Sequence, residues 1–219
     1  YLGGGVTVDL LKKDCDSVSN KEIIAEVEGP TQTLLSAERV ILNLMQHLSG
    51  IATSTAEVVG LLDDELITIT DTRKSLPGLR ALQKYAVTCG GGKNHRFRLD
   101  DGVMIKDNHI KAAGSITKAV ELVRENIGHM VKIEVETESK EQVLEAVKAG
   151  VDVIMLDNRT PEEVKKLVKL IPEEILVEVS GGINPNNIKG YKGCGANVIS
   201  LGWLTHSVKA LDISFNLNQ

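Results

Sequence analysis

Apolar residues between positions 34 and 62 recur at three- and four-residue steps: Leu34, Leu35, Val40, Ile41, Leu44, Met45 and Leu48, then Ile51, Val58, Val59, Leu61 and Leu62. That period marks an amphipathic helix. Ser49-Gly50 is its weak spot, so the pattern fits one long helix or two abutting ones. Downstream the period changes. Short apolar runs at 67–70, 86–88, 103–105, 131–135, 153–156, 175–179 and 198–201 read as strands with helical segments between the later ones. Helix starts are legible at Ser139 with Gln142, at Thr160-Pro161 with Glu163 and, in shorter form, at Asn184-Pro185. Strands alternating with helices predict a parallel sheet with right-handed crossovers. Seven strands with polar residues at their ends favour a closed or nearly closed, TIM-like β/α barrel, with a doubly wound sheet as the alternative. Upstream, Gly3-Gly4-Gly5 precedes the alternating Val6-Thr7-Val8, and residues 23–27 form a second short strand ended by Gly29-Pro30. This segment is too short to close a core of its own. The expected division is a small α/β unit at 1–35, a linking helix at 36–62 and a barrel at 63–219. The chain opens on Tyr1 in mid-pattern, so its natural beginning is expected to lie upstream.

Charge changes the picture at one place. Between 71 and 110, Arg73, Lys74, Arg80, Lys84, Lys93, Arg96, Arg98 and Lys106 face only Asp71, Asp100, Asp101 and Asp107, in a chain whose net charge is −5. A basic island threaded with Gly and His suggests a pocket for a small polyanion, against the plainer possibility of a solvated basic loop. With an acidic total and 3% aromatic residues, a nucleic-acid face is not expected. At 42% hydrophobic residues, mostly Val, Ile, Leu and Ala, the chain can bury sheets on both faces. No apolar run suits a membrane span and no signal peptide is apparent. Cys15, Cys89 and Cys194 show neither metal spacing nor an even count, which suits free thiols in the cytoplasm.

Barrel enzymes place their chemistry at the carboxyl ends of the strands. The residues following the expected strands are Asp71-Thr72-Arg73-Lys74, Gly90-Gly91-Gly92 with Asn94-His95-Arg96, Lys106-Asp107-Asn108-His109, Glu134 and Glu136, Asp157-Asn158, Ser180-Gly181-Gly182, and Gly202 with Thr205-His206. Arg73 and Arg96 can clamp a carboxylate or phosphate through paired hydrogen bonds. Glu136 and Asp157 could hold Mg2+, and the Ser180-Gly181-Gly182 and Ser200-Leu201-Gly202 loops offer backbone N–H groups to a phosphate. Together these suggest a phosphorylated sugar meeting an anionic acceptor. Glu134 is set aside, on an assignment to the strand face opposite Glu136. Arg39 reads as a surface residue beside Glu38. His95 is expected to have a polar role, His47 and His129 structural or exposed ones, and His109 and His206 no clear partner.

These motifs, with Glu38-Arg39, Leu42-Asn43, Ser49-Gly50-Ile51-Ala52-Thr53, Pro77-Gly78-Leu79-Arg80, Ile105-Lys106-Asp107-Asn108-His109, Leu156-Asp157-Asn158, Ser180-Gly181-Gly182-Ile183 and Thr205-His206-Ser207, strongly resemble the quinolinate phosphoribosyltransferases from about Val6 to Ile213. The resemblance implies an open seven-stranded α/β barrel, part of an N-terminal α/β sandwich domain, and a cytoplasmic homodimer or higher oligomer. It implies phosphoribosyl transfer from PRPP to quinolinate with decarboxylation to nicotinate mononucleotide, in NAD biosynthesis, using Mg2+ and no organic cofactor, nucleic acid or membrane. By the same resemblance Thr72, Arg73, Lys74, His95 and Arg96 face the pyridine dicarboxylate, and Arg39 reaches it from a neighbouring subunit. Lys106, Glu136 and Asp157 attend the ribose and the magnesium-bound pyrophosphate, with Lys74 also catalytic, and Ser180, Gly181, Gly182 and Gly202 hold the 5-phosphate. Two departures stand out: Asp14-Cys15-Asp16 replaces a usual Asp-Gly turn, and Glu178-Val179-Ser180 replaces the commoner Glu-Ala-Ser. The alternatives are a related phosphoribosyltransferase for another acid and a silent phosphosugar-binding barrel.

Overall fold

Six parallel strands in the order β3-β8-β7-β6-β5-β4 form the central sheet of the computed structural model, which describes residues 5–217. They are β3 (Thr68–Thr70), β4 (Val103–Ile105), β5 (Ile133–Thr137), β6 (Val153–Asp157), β7 (Leu176–Ser180) and β8 (Val198–Ser200). The connections carry α2 (Arg80–Cys89), α3 (Asp107–Ala113), α4 (Ile116–Arg124), α5 (Lys140–Ala149) and α6 (Pro161–Leu167), and α7 (Trp203–His206) follows β8. Ahead of the sheet, β1 (Thr7–Leu10) pairs antiparallel with β2 (Ala25–Glu28), and α1 (Thr31–Leu62) follows. Gly3 and Gly4, part of the expected turn before the first strand, lie outside the described residues. Among those described, no helix is long and apolar enough to cross a membrane.

One expected strand is absent. Residues 86–88 are the last turn of α2, because Ala86 and Val87 bury themselves against Ile51 of α1, with Leu48 and Val208 beside them. A three-residue apolar run carries no period of its own, and here helix packing decides it. The seventh barrel position is filled instead by a single parallel bridge between Lys93 and Thr70. The barrel is therefore open between residues 93–96 and β4. Two side chains cross that seam: Arg96 Nη1 donates to Gly102 O at 2.6 Å, and His95 Nε2 reaches Glu134 Oε2 at 3.3 Å.

The Thr160-Pro161-Glu163 start is a complete capping box, whereas at Ser139 only the side chain accepting from Gln142 N is present, since Gln142 Oε1 accepts from Glu138 N. Across Ser49-Gly50, α1 does not break. It is one helix of 32 residues, about 48 Å long at 1.5 Å per residue. Gly50 serves close packing: a Cβ there would sit 2.2 Å from Lys209 O, where the C-terminal segment crosses the helix. That segment is fastened by Leu211 N to Gln46 O (2.9 Å) and Gln46 Nε2 to Ile213 O (2.7 Å). The core lies between the sheet and its helices, from Val58 and Leu62 of α1 through Val135, Ile154, Val179 and Ile199 to Leu204.

Candidate active site

Strand alternation sets the inner face of the barrel. Thr70, Glu134, Met155, Glu178 and Ser200 are buried in its middle layer. Glu136, Asp157, Ser180 and Gly202 lie farther along the same strands, and Asp157 stands directly opposite Ser180 in register. Setting Glu134 aside as facing away from Glu136 is thus incorrect. Residues two apart share a strand face, and Glu134 points inward at 7% exposure.

The cationic side is built on a buried ion pair. Asp71, at the end of β3, and Lys84, on α2, have fully buried side chains and bond Oδ1 to Nζ. Around that pair the chain folds back: His95 N donates to Asp71 Oδ1 (2.9 Å), and Lys84 Nζ donates to His95 O (2.8 Å). With its nitrogen turned toward the acceptors, the Asn94 amide donates to Asp71 Oδ2 (2.6 Å) and Lys84 O (2.9 Å). Burial pushes the Asp71 carboxyl up and the Lys84 ammonium down, each partly offset by the other's charge. Lys84 also stacks 5.2 Å from the Phe97 ring centroid. It therefore belongs to the scaffold of the 94–97 loop, not to the pocket lining that the basic island suggested.

This loop presents Arg96 beside Arg73. Burial first, and then Arg73, work against the charge on Arg96. The Nε atoms of both arginines are buried and find no protein partner among the described residues. Two like charges held together with unused donors make a preformed anion site. His95 lies below, its Nε2 3.3 Å from Glu134 and 3.4 Å from Glu178. Burial opposes its protonation, but hydrogen bonds to the two carboxylates outweigh that and raise its pKa to about 10. Burial and, after the opposing His95 bond, the Glu178 charge lift Glu134 as well. Arg96 N donates to His95 Nδ1 at 2.8 Å. That bond uses the Nδ1 lone pair and is given up when the ring takes its second proton, so it works against the carboxylates, while Nε2 stays protonated in either state. A cavity of about 230 Å3 runs from this cluster down to Val153, Leu176 and Val198 at the starts of their strands.

On the opposite side Lys106, just after β4, is ion-paired with Glu136 Oε2. Burial and then Glu136 push the Asp157 carboxyl up, while Lys106 and Lys74 pull it down, so these four side chains share one electrostatic neighbourhood. Glu136 and Asp157 were expected to hold magnesium. Glu136 Oε2 is taken by Lys106 and Asp157 Oδ2 accepts from Asn158 Nδ2 (2.6 Å), which leaves one oxygen on each. That donor set suits an ion arriving with phosphate and water, not an all-protein cage. His95, Glu134 and Glu178 offer ligand-type atoms within 4.8 Å of one another. With Nδ1 accepting from Arg96, however, Nε2 carries its proton and has no lone pair for a metal.

The glycine loops close the ring. Gly181 has φ +89°, and a Cβ there would lie 2.2 Å from Asn158 Oδ1, so no other residue fits. The stem of Lys74 covers Gly202, and Thr205 Oγ1 donates to Lys74 O at 2.9 Å. Thr72 Oγ1 accepts from Lys74 N at 3.1 Å. Thus Thr72, Arg73, Lys74, Lys106, Glu136, Asp157, Ser180, Gly181, Gly182 and Gly202 come to the carboxyl ends of the strands, with His95 and Arg96 reaching in beneath them to Glu134, Glu178 and Gly102. Arg39 does not: it is exposed on α1, and among the described residues its ion-pair partner is Glu38 at 3.8 Å. Sequence reasoning placed Asp71 and Lys84 in the basic island without their supporting role, and missed Glu134 and Glu178 as site-forming residues. The two-residue spacing of Glu134 from Glu136, and of Glu178 from Ser180, carried the signal for the last two. Nothing local announces a buried Lys84.

Strands ending in an arginine pair, a lysine–carboxylate cluster and glycine loops define a β/α-barrel protein with a preformed site for a small polyanion. The chain belongs to the quinolinate phosphoribosyl transferase family: residues 51–216 match its C-terminal domain and 1–49 its N-terminal domain. It is 59% identical to the probable nicotinate-nucleotide pyrophosphorylase [carboxylating] of Bacillus subtilis, over 95% of this chain and 72% of that one. With the nicotinate-nucleotide pyrophosphorylase [carboxylating] of Rattus norvegicus it shares 42% identity, over 89% and 67% of the two chains. The crystal structure of nicotinate-nucleotide pyrophosphorylase from Ehrlichia chaffeensis superimposes with a TM-score of 0.91 at 40% identity, covering 95% of this chain and 76% of that one.

Proposed function

We propose that the chain transfers the phosphoribosyl group of PRPP to quinolinate and releases pyrophosphate, CO2 and nicotinate mononucleotide, a pentosyltransferase step of NAD biosynthesis. The observation that carries this assignment is the Arg73–Arg96 pair with its buried, unpartnered Nε donors, in a chain of this family. One carboxylate would not need two guanidiniums held against their own repulsion. A vicinal dicarboxylate does, and it offsets that repulsion when it binds.

Thr72, Arg73, Lys74, His95 and Arg96 form the acceptor pocket, and their role is to hold the ring nitrogen in line with the anomeric carbon. Ser180, Gly181, Gly182 and Gly202 bind the 5-phosphate through backbone N–H groups. Loss of pyrophosphate leaves positive charge on the ribose ring, which the Glu136 and Asp157 carboxylates stabilise. Lys106, paired with Glu136, fixes that carboxylate and meets the anionic substrate, while Lys74 over Gly202 neutralises leaving-group charge. Mg2+ held through Glu136 and Asp157 would supply further charge neutralisation to the pyrophosphate. Once the ring nitrogen is ribosylated, its positive charge stabilises the carbanion left on the adjacent carbon as that carboxylate leaves as CO2, and the carbon then takes up a proton to give nicotinate mononucleotide. The site asks for no organic cofactor.

Arg39 completes the pocket from a second subunit in a homodimer or higher oligomer. Its exposure on the free half of α1, beside exposed Leu35, Val40 and Ile41, supports that assembly. Free Cys15, Cys89 and Cys194 support a cytoplasmic setting.

The test supplies PRPP and magnesium with either quinolinate or nicotinate and follows CO2 and mononucleotide together. Equal CO2 and nicotinate mononucleotide from quinolinate alone is the expected result. Mononucleotide from nicotinate without CO2 would move the protein to a monoacid transferase, and PRPP binding without product to a silent barrel.

A further inference from the structure

The turn between β1 and β2 docks on the end of α2. Lys13 N donates to Asp16 Oδ2 (2.9 Å) and Asp16 N to Lys13 O (3.1 Å), closing a tight loop with Cys15 at its tip. Cys15 adopts φ +75°, a left-handed conformation that favours glycine. Next to it, Asp14 Oδ2 accepts from Tyr85 OH on α2 at 2.8 Å. Cys89 lies four residues beyond Tyr85 and so on the same face of the helix. The Asp14–Tyr85 bond thereby brings the Cys15 side chain to that of Cys89, whose surroundings are the Cys15 thiol, the Tyr85 hydroxyl and Asp14. Cys15 is exposed and Cys89 half-buried, while Cys194 is buried elsewhere.

We propose that Cys15 and Cys89 form a reversible dithiol–disulfide pair, which on oxidation by a peroxide ties the β1–β2 hairpin to the helix that supports the 94–97 loop. The exposed Cys15 reacts first. Its sulfur attacks the peroxide O–O bond, giving a sulfenic acid and one water. Cys89 sulfur then attacks the sulfenic sulfur, the S–S bond forms, and a second water leaves. Two thiols have lost two electrons, and one hydrogen peroxide has become two waters. A dithiol reductant reverses the step by thiol–disulfide exchange. Burial, with the neighbouring thiol and Asp14, keeps Cys89 protonated and slow toward solvent oxidants. The order of events follows from that contrast.

The bond forms where α2 ends, immediately before the run to Lys93 and the 94–97 loop. It also closes a long loop through β1, β2 and α1, the geometry in which a cross-link restricts the unfolded chain most.

The experiment treats the full chain with stoichiometric hydrogen peroxide and maps thiols by mass spectrometry before and after a dithiol reductant. One intramolecular Cys15–Cys89 linkage is expected, with Cys194 still alkylatable. Reduction should restore the original mass. Thermal melting should rise by roughly 5–10 °C on oxidation, and this rise should vanish in Cys15→Gly and Cys89→Ser. Cys15→Gly, which suits the left-handed φ, should fold at least as well as the parent, so a missing rise cannot be blamed on misfolding. Over-oxidised Cys15 with free Cys89, or linkage between two chains, would overturn the proposal.

Discussion

Replacing Lys84 with Met keeps the length of the side chain and removes its charge, leaving Asp71 in a fully buried site without its cation. Two hydrogen bonds disappear, one to Asp71 Oδ1 and one to His95 O. Removing one partner of a buried pair costs about 3–5 kcal/mol, because the remaining charge is stranded. At roughly 2–4 °C per kcal/mol for a chain of this size, melting should fall by roughly 6–20 °C. The size of the loss should depend on pH. Burial already raises the Asp71 carboxyl, and losing Lys84 raises it further. A folded-state pKa above the unfolded one favours the fold at low pH and weighs against it as pH climbs toward the folded value. The deficit should therefore be smallest near pH 4 and grow toward neutrality. Adding Asp71→Asn should recover part of it. Because the pair holds His95 at both its N and its O, KM for quinolinate should rise at least tenfold while KM for PRPP moves less than twofold. Melting curves at several pH values and the two Michaelis constants give the answer. A fall under 2 °C at every pH, or equal changes in both constants, would refute the assignment of Lys84 to loop support.

Arg73→Ala should weaken quinolinate binding by about 2–5 kcal/mol, by stranding a desolvated carboxylate, whereas Arg73→Lys should recover only part because lysine cannot bond in parallel pairs; direct titration calorimetry checks both. Gly181→Ala should raise KM for PRPP with little change for quinolinate, since the new Cβ meets Asn158 at 2.2 Å in the phosphate loop; unchanged PRPP kinetics would show that the loop is not the cradle. The His95 ring should show no NMR titration between pH 5.5 and 8.5, its pKa being raised to about 10. The stability it contributes should be whole below about pH 6.5 and decline as pH rises through about 10; an inflection near neutrality would mean the carboxylates do not hold its proton.

Periodicity made the barrel legible. Six of the seven expected strands formed within a residue or two, because Val, Ile and Leu runs buried on both faces leave little choice of element. The seventh failed at Ala86–Val87, where the apolar run serves a helix face, information that resides in α1 and not in the run. Side-chain types singled out Arg73, Glu136 and Asp157, which lie at strand ends, whereas Arg96 comes from a loop that follows α2 and a single bridge at Lys93. What stayed hidden was support. Lys84 is buried by residues distant in sequence, and lysine alone reads as surface. Glu134 differs: its two-residue spacing from Glu136 puts both on one strand face, a rule that the sequence alone carries.

The seam of the barrel joins two demands that most folds keep apart. Arg96 and His95 span the gap to Gly102 and Glu134, so the groups proposed to meet the acceptor also stand in for missing strand pairing. Drift in acceptor preference at positions 95 and 96 is thereby penalised twice, once in recognition and once in closure of the wall. An engineer seeking a new acid should first repair the seam elsewhere, with a longer strand after Lys93 or a cross-strand pair to β4. Only then do His95 and Arg96 become free to vary.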